Sequence, residues 1–118
     1  MLPGKRAVRV GDLILKEIAF LLLEKVKDQR VRGVTLTGID LSDNLKSARI
    51  YFSAMGGEEE IKRAGAGLES ASKFIKREIG RNMQLRYVPK LKFVHDTSLA
   101  DGSHMEKLFD KIRETEKD

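Results

Sequence analysis

The sequence contains no cysteine, no tryptophan and only two prolines. Without thiols, a disulfide framework and a thiolate metal site are both excluded. The longest uninterrupted apolar run covers residues 18–23, far short of the ~20 residues that a membrane-spanning helix needs. Lys16 and Glu17 stand directly before this run, which does not fit the core of a signal peptide. We therefore expect a protein of the cytoplasm.

The chain of 118 residues has room for one domain with a modest core. Its composition, 41% apolar and 35% charged residues, is typical of a globular protein and not of a disordered one. We find neither a linker nor an internal repeat. Residues 1–118 should therefore form a single domain that acts as a monomer, with frayed ends at about 1–5 and 114–118.

The formal net charge of +5 is unevenly distributed along the chain. Residues 1–32 have a net charge of +4, and residues 73–93 have +6 because seven basic residues face a single acidic one. Residues 94–118, in contrast, have −3. Two such basic segments favour a polyanionic partner such as RNA, although basic side chains can also serve only to solvate a surface.

The first half of the chain predicts a helix followed by a hairpin. Apolar residues recur at helical spacing over residues 8–27, and they alternate with polar ones over 34–41 and 45–54. The alternation changes parity at Gly38, which predicts a bulge that returns the later apolar residues to the core face. The turn chemistry of residues 42–44 joins the two strands.

The second half predicts two helices, a third strand and a last helix. Helical spacing from Ile61 to Ile79 is loosened by Gly65 and Gly67, so we expect two helices that meet near position 71. Residues 85–95 should form a strand, and the apolar residues from Met105 to Ile112 should lie on one side of a short helix. The order α-β-β-α-α-β-α predicts an α+β fold with helices on one face of a three-stranded sheet.

Residue patterns typical of enzymes are scarce. His95 and Asp96 could take part in acid–base chemistry, but no motif places a nucleophile. Two isolated histidines make a poor metal site, and residues 65–67 lack the lysine and the further glycine of a phosphate-binding loop. We therefore expect no catalysis, cofactor, metal or small-molecule substrate.

The third predicted helix has a basic face. At ~100° per residue, Lys73, Lys76 and Arg77 fall within about 100° of arc, with Arg81 at its border and Ile75 opposite. Gly80 lies within this face and should permit the close approach of a sugar-phosphate chain. Together with basic residues of the first helix and the third strand, the predicted RNA-binding residues are Arg6, Arg9, Lys73, Lys76, Arg77, Arg81, Arg86, Lys90 and Lys92.

Aromatic residues are few, at 6% of the chain. RNA-recognition sheets normally stack bases on exposed aromatic side chains, whereas only Tyr51 is predicted on the solvent face of a strand here. The position of Tyr87 is not fixed by any pattern. Recognition should therefore depend on the RNA backbone and its shape.

Several motifs, in this order, resemble the ribosome-binding factor A family. They cover the chain from about position 5 to the last predicted helix: Arg6-Ala-Val-Arg9-Val10, Lys16-Glu17-Ile18, Val26-Lys27-Asp28, Arg30-Val31, residues 34–42, Ala48-Arg49-Ile50-Tyr51, residues 85–93 and Asp96-Thr97-Ser98-Leu99.

The resemblance implies a type II KH-like fold and a bacterial or organellar factor for ribosome biogenesis. Such a factor binds free 30S subunits or their precursors, contacts 16S rRNA near the decoding region, and leaves before the large subunit joins. It supports processing of the 5′ end of 16S rRNA and adaptation to cold.

The chain departs from this family at the kink between the two middle helices. The family has Ala-x-Gly in place of the usual KH GxxG loop, and the corresponding residues here are Ala71, Ser72 and Lys73. The cationic side chain of Lys73 thus stands where the family has a glycine, which has no side chain. Two other functions stay open: a general KH-like nucleic-acid-binding module without a ribosomal role, and a protein-interaction adaptor that uses the helix from Met105 to Ile112.

Overall fold

In the computed structural model, residues 5–97 are described. They form two long helices, one short 3₁₀ turn and three strands. In chain order these are α1 (Lys5–Glu24), the 3₁₀ turn Gln29–Val31, β1 (Thr35–Leu41), β2 (Ser47–Ser53), α2 (Glu58–Asn82) and β3 (Lys90–His95). The predicted helix from Met105 to Ile112 lies outside the described residues.

The three strands form a mixed sheet in the order β1-β2-β3. β1 and β2 are antiparallel, as expected for a hairpin, whereas β3 pairs with β2 in parallel. The register of the hairpin shifts between Leu36 and Gly38, so the predicted bulge is confirmed, with Thr37 as the extra residue. Beyond it, Ile39 and Leu41 return to the face that packs against the helices.

Both helices pack on one face of this sheet. Ile14 and Ile18 of α1, Ile75 and Ile79 of α2 and Ile50 of β2 are all fully buried in one cluster. At about 1.5–3 kcal/mol per buried aliphatic side chain, this shared core holds the two layers together. The predicted α+β class and the placement of the helices on one face are confirmed. Among the described residues, no helix is both long enough and apolar enough to span a membrane.

The expected break between two middle helices is wrong. α2 runs without interruption for 25 residues, through Ala71, Ser72 and Lys73. Ala and Lys are good helix formers, and the glycine that would weaken the helix is absent from this position. The Ser72 hydroxyl donates to the carbonyl oxygen of Glu69 at 2.8 Å, a local bond that leaves the helix continuous.

Gly67 of α2 packs closely against the 3₁₀ turn. The Asp28 carboxylate accepts the Arg30 backbone N–H at 2.9 Å and its guanidinium at 2.7 Å. These bonds hold the pKa of Asp28 below its usual value. Arg30 Nη2 also donates to Ser70 Oγ at 3.3 Å. A Cβ added at Gly67 would lie only 2.9 Å from Arg30 Cβ and from Val31 Cγ1, so no side chain fits there.

This contact can be tested with two glycine substitutions in the same helix. Gly67→Ala should lower the free energy of unfolding by about 1 kcal/mol, because overpacking costs ~1–3 kcal/mol and exceeds the gain in helix propensity. Gly65→Ala should raise it by up to about 1 kcal/mol, since its nearest atom, Phe52 Cζ, is an ordinary 3.7 Å away. Urea denaturation measures both. Equal shifts in one direction would contradict the packing role of Gly67.

Candidate RNA-binding surface

The sheet face opposite the helices carries three cations in adjacent positions. The register places Lys92 of β3 beside Arg49 of β2, and Lys90 beside Ser47. Because side chains alternate along a strand, Arg49, Lys90 and Lys92 share the open face, and all three are exposed. On the side of Arg49 away from β3, its register partner is Asp40 of β1. Asp40 therefore places one carboxylate beside these three cations.

Arg49 was not among the predicted RNA-binding residues. Alternation along the strand placed it on the solvent face, but only the parallel pairing of β2 with β3 puts it opposite Lys92. Like charges directly opposite each other in a sheet are destabilising. This pair therefore concentrates positive charge on the open face of the sheet.

The basic face of α2 is exposed as expected. Lys73, Lys76 and Arg77 all reach solvent, and none of them forms a salt bridge with another residue of the described range 5–97. Arg81 differs, because its Nη1 lies 3.8 Å from Glu78 Oε1. Three unpaired cations on one helix side are available to phosphate groups.

The basic face of α2 adjoins the cations of β3 around the edge of the sheet. An open depression beside β3 is lined by Glu69 of α2 together with Lys90 and Lys92. Lys73 and Lys76 follow Glu69 by four and seven residues, so they project within about 40° of it around the helix. The helix and strand cations therefore lie on neighbouring surfaces, with Glu69 as the one acidic side chain contributed there by α2.

A second group of predicted residues meets at the start of α1. Arg6 of α1 and Arg86 of the loop between α2 and β3 line one small pocket, together with Tyr87 and Asn44. Arg9 is exposed but is not part of the pocket lining. The structure thus brings Arg6 and Arg86 together and leaves Arg9 on the adjacent helix surface.

The structure gives Gly80 a packing role in addition to the one expected. A Cβ at this position would lie 3.1 Å from Val88 Cγ2. The glycine therefore allows the loop before β3 to approach α2 closely, while its backbone stays exposed as expected.

His95 and Asp96 have separate neighbours. The His95 ring packs edge-on against Phe52 with centroids 5.7 Å apart, on the helix side of the sheet. The Asp96 carboxylate accepts the Thr37 hydroxyl at 2.6 Å. These contacts of the two side chains thus involve different strands, β2 for His95 and β1 for Asp96.

Over residues 5–97, these features define a small α+β fold with two helices on one side of a mixed three-stranded sheet and with basic surfaces on the other side and on α2. The family model for ribosome-binding factor A matches residues 6–109. The chain belongs to the ribosome-binding factor A family.

Curated relatives of this family are similar to the chain over nearly its full length. The ribosome-binding factor A of Syntrophus aciditrophicus is 45% identical, over 100% of this chain and 97% of its own length. That of Syntrophobacter fumaroxidans is 41% identical, over 95% and 97% of the two chains.

Solved structures of the family share the fold. A solution structure from Thermotoga maritima is 28% identical, with a TM-score of 0.68 over 80% of this chain and 90% of its own. The crystal structure of ribosome-binding factor A from Thermus thermophilus is 20% identical, with a TM-score of 0.67 over 75% and 93%. A model of the Thermus thermophilus factor fitted into a cryo-EM map of a 30S–RbfA complex has a TM-score of 0.63 at 20% identity, over 77% and 96%.

The like-charge pair in the sheet predicts a stability effect. Lys92→Gln removes the cation opposite Arg49 and should raise the free energy of unfolding by about 0.5 kcal/mol at low salt, or ~2–4 °C in Tm. Lys90→Gln is the matched control, because its register partner is Ser47. Thermal unfolding at low and high salt measures both, and the difference should shrink as salt screens the pair. Identical shifts in the two variants would contradict the pairing.

Proposed function

We propose that this chain is a non-catalytic ribosome assembly factor that binds free 30S subunits or their precursors through 16S rRNA. In this role it supports late maturation of the subunit and processing of the 5′ end of 16S rRNA, including growth in the cold. The observation that carries the proposal is the family match over residues 6–109. It is supported by the similar fold of the Thermus thermophilus factor fitted into a 30S complex.

Binding is proposed to proceed by neutralisation of phosphates followed by shape fitting. Lys73, Lys76 and Arg77 of α2 would contact one stretch of the RNA backbone, and Lys90 and Lys92 of β3 a neighbouring one. Arg49 joins the latter group, since it shares their face. Each cation that replaces a condensed counterion contributes to affinity at low salt and less at high salt.

The proposed factor acts as a monomer in the cytoplasm and leaves before the large subunit joins. A general nucleic-acid-binding module with the same charges is the alternative. The two functions differ in selectivity for ribosomal particles, because a module that recognises only charge would bind free and joined subunits alike.

Sedimentation of bacterial extract tests the ribosomal role. The protein should co-migrate with free 30S particles and be absent from joined 70S ribosomes, because the proposed factor dissociates from the 30S subunit before the large subunit joins. Immunodetection across a sucrose gradient at low and high magnesium, which shifts the balance of free and joined subunits, gives the measurement. A protein that stays at the top of the gradient at low salt would refute the ribosomal role, and equal occupancy of 30S and 70S would favour the general module.

Charge removal tests the proposed surface. The triple variant Lys73→Ala/Lys76→Ala/Arg77→Ala should weaken binding to 30S subunits and reduce the slope of log affinity against log salt concentration by about 2–3, roughly 0.7–0.9 per lost phosphate contact. The stability of the fold should change little, because all three residues are exposed.

The control for this variant removes the same charge elsewhere. Lys25→Ala/Lys27→Ala/Arg32→Ala takes three exposed cations from the segment between α1 and β1, next to the opposite edge strand of the sheet. It should leave the slope nearly unchanged. If both triple variants lower the slope equally, the attraction is a property of net charge and not of the α2 surface.

A further inference from the structure

The start of α1, the hairpin turn and the loop before β3 enclose one small pocket. Its volume is about 220 Å³, and it is lined by Arg6, Val10, Asn44, Leu45, Leu85, Arg86, Tyr87 and Pro89. We infer that this pocket receives a single unpaired nucleotide of the bound RNA, with the base against Tyr87 and its phosphate between Arg6 and Arg86. The inference deepens the proposed function and rests on it.

The size and the floor of the pocket suit one base. Pockets for drug-sized ligands have volumes of ~300–1,000 Å³, and this one is smaller, which fits one planar ring system better than a stack of several. The floor is apolar, since Val10, Leu45, Leu85 and the buried Pro89 contribute to it. A base that leaves the RNA stack would find an apolar surface for its faces there.

Tyr87 offers an aromatic ring at the rim. The residue is 60% exposed, so most of the ring can be approached from solvent. Arg86 Cζ lies 5.6 Å from the ring centroid, and this cation–π contact holds the guanidinium and the ring next to each other. Aromatic rings and guanidinium planes are both surfaces on which proteins stack unpaired bases.

The charge of the pocket fits a phosphate. Arg6 and Arg86 both line it, and among residues 5–97 no acidic residue belongs to its lining. Planar guanidinium groups bind phosphate oxygens in bidentate fashion. This charge, together with the aromatic rim, favours a nucleotide over a purely apolar ligand.

Asn44 supplies a polar group whose orientation is already set. Its Oδ1 accepts the Ser42 hydroxyl at 2.6 Å and the Lys46 backbone N–H at 3.0 Å. The amide Nδ2 has no acceptor among residues 5–97, so it can donate to an acceptor on the edge of a base.

The backbone around the pocket is strained. Among the described residues, Leu45 and Gln84 are the two non-glycine residues with positive φ, at 63° and 47°. Leu45 lines the pocket and Gln84 directly precedes Leu85, which also lines it. Such a conformation costs of the order of 1 kcal/mol or more for each residue and is concentrated at functional sites. The two strained residues therefore lie at or directly beside the pocket that Arg6, Arg86 and Tyr87 line.

A comparison of two RNAs tests the inference. One is a fully paired RNA duplex, and the other is the same duplex with one bulged adenosine. The full chain should bind the bulged RNA about tenfold more tightly, an effect within the range of one base stacked on an aromatic side chain. Tyr87→Ala should abolish this preference and leave binding to the paired duplex unchanged, whereas Tyr87→Phe should keep it. Fluorescence anisotropy with labelled RNA measures the affinities of each protein for both RNAs.

A pair of arginine variants separates the pocket from general charge. Arg6→Ala should lower the affinity for the bulged RNA more than that for the paired one. Arg9→Ala, which removes an exposed cation outside the pocket, should weaken both RNAs equally. Equal binding of the two RNAs by the unaltered protein, or a preference that survives in Tyr87→Ala, overturns the pocket while RNA binding itself stands. Failure to bind either RNA or 30S subunits overturns the proposed function.

Discussion

Burial of both helices against the same face of the sheet is the constraint on which the remaining structure depends. Fully buried isoleucines from α1, α2 and β2 meet in one layer, so the helices cannot also cover the other face. Among the described residues no second apolar layer covers that face, and a sheet face without such a cover is typically polar. Within residues 5–97, the asymmetry of the core therefore leaves the other sheet face to charged side chains such as Arg49, Lys90 and Lys92.

The sequence predicts most of this arrangement where periodicity is strong. The alternation of Ala48, Ile50 and Phe52 identifies the core side of β2, and the change of parity at Gly38 locates the bulge. The basic side of α2 follows from the same geometry. The expected break in α2 is wrong, because small residues do not always mark weak points of a helix. Gly67 is small since the 3₁₀ turn lies against it, a contact that helical periodicity does not reveal.

The features that sequence patterns do not predict are contacts between segments that are far apart in the chain. Nothing in the alternation of β2 or β3 states that they are parallel neighbours, so the juxtaposition of Arg49 and Lys92 was not predicted. The meeting of Arg6, Arg86 and Tyr87 depends in the same way on where α1 begins relative to the loop before β3. That loop owes its position in part to Gly80, where the absence of a side chain leaves room for Val88.

The parallel pairing of β2 with β3 also has a consequence for the order of events during synthesis. Parallel neighbours need a long crossover, here α2, before their backbones can pair, and such non-local pairing comes late in folding. While the ribosome is still releasing α2, the hairpin alone presents Arg49, and the lysines of β3 have not joined it. The nascent chain would therefore complete its basic sheet face only after β3 has emerged, later than the basic face of α2.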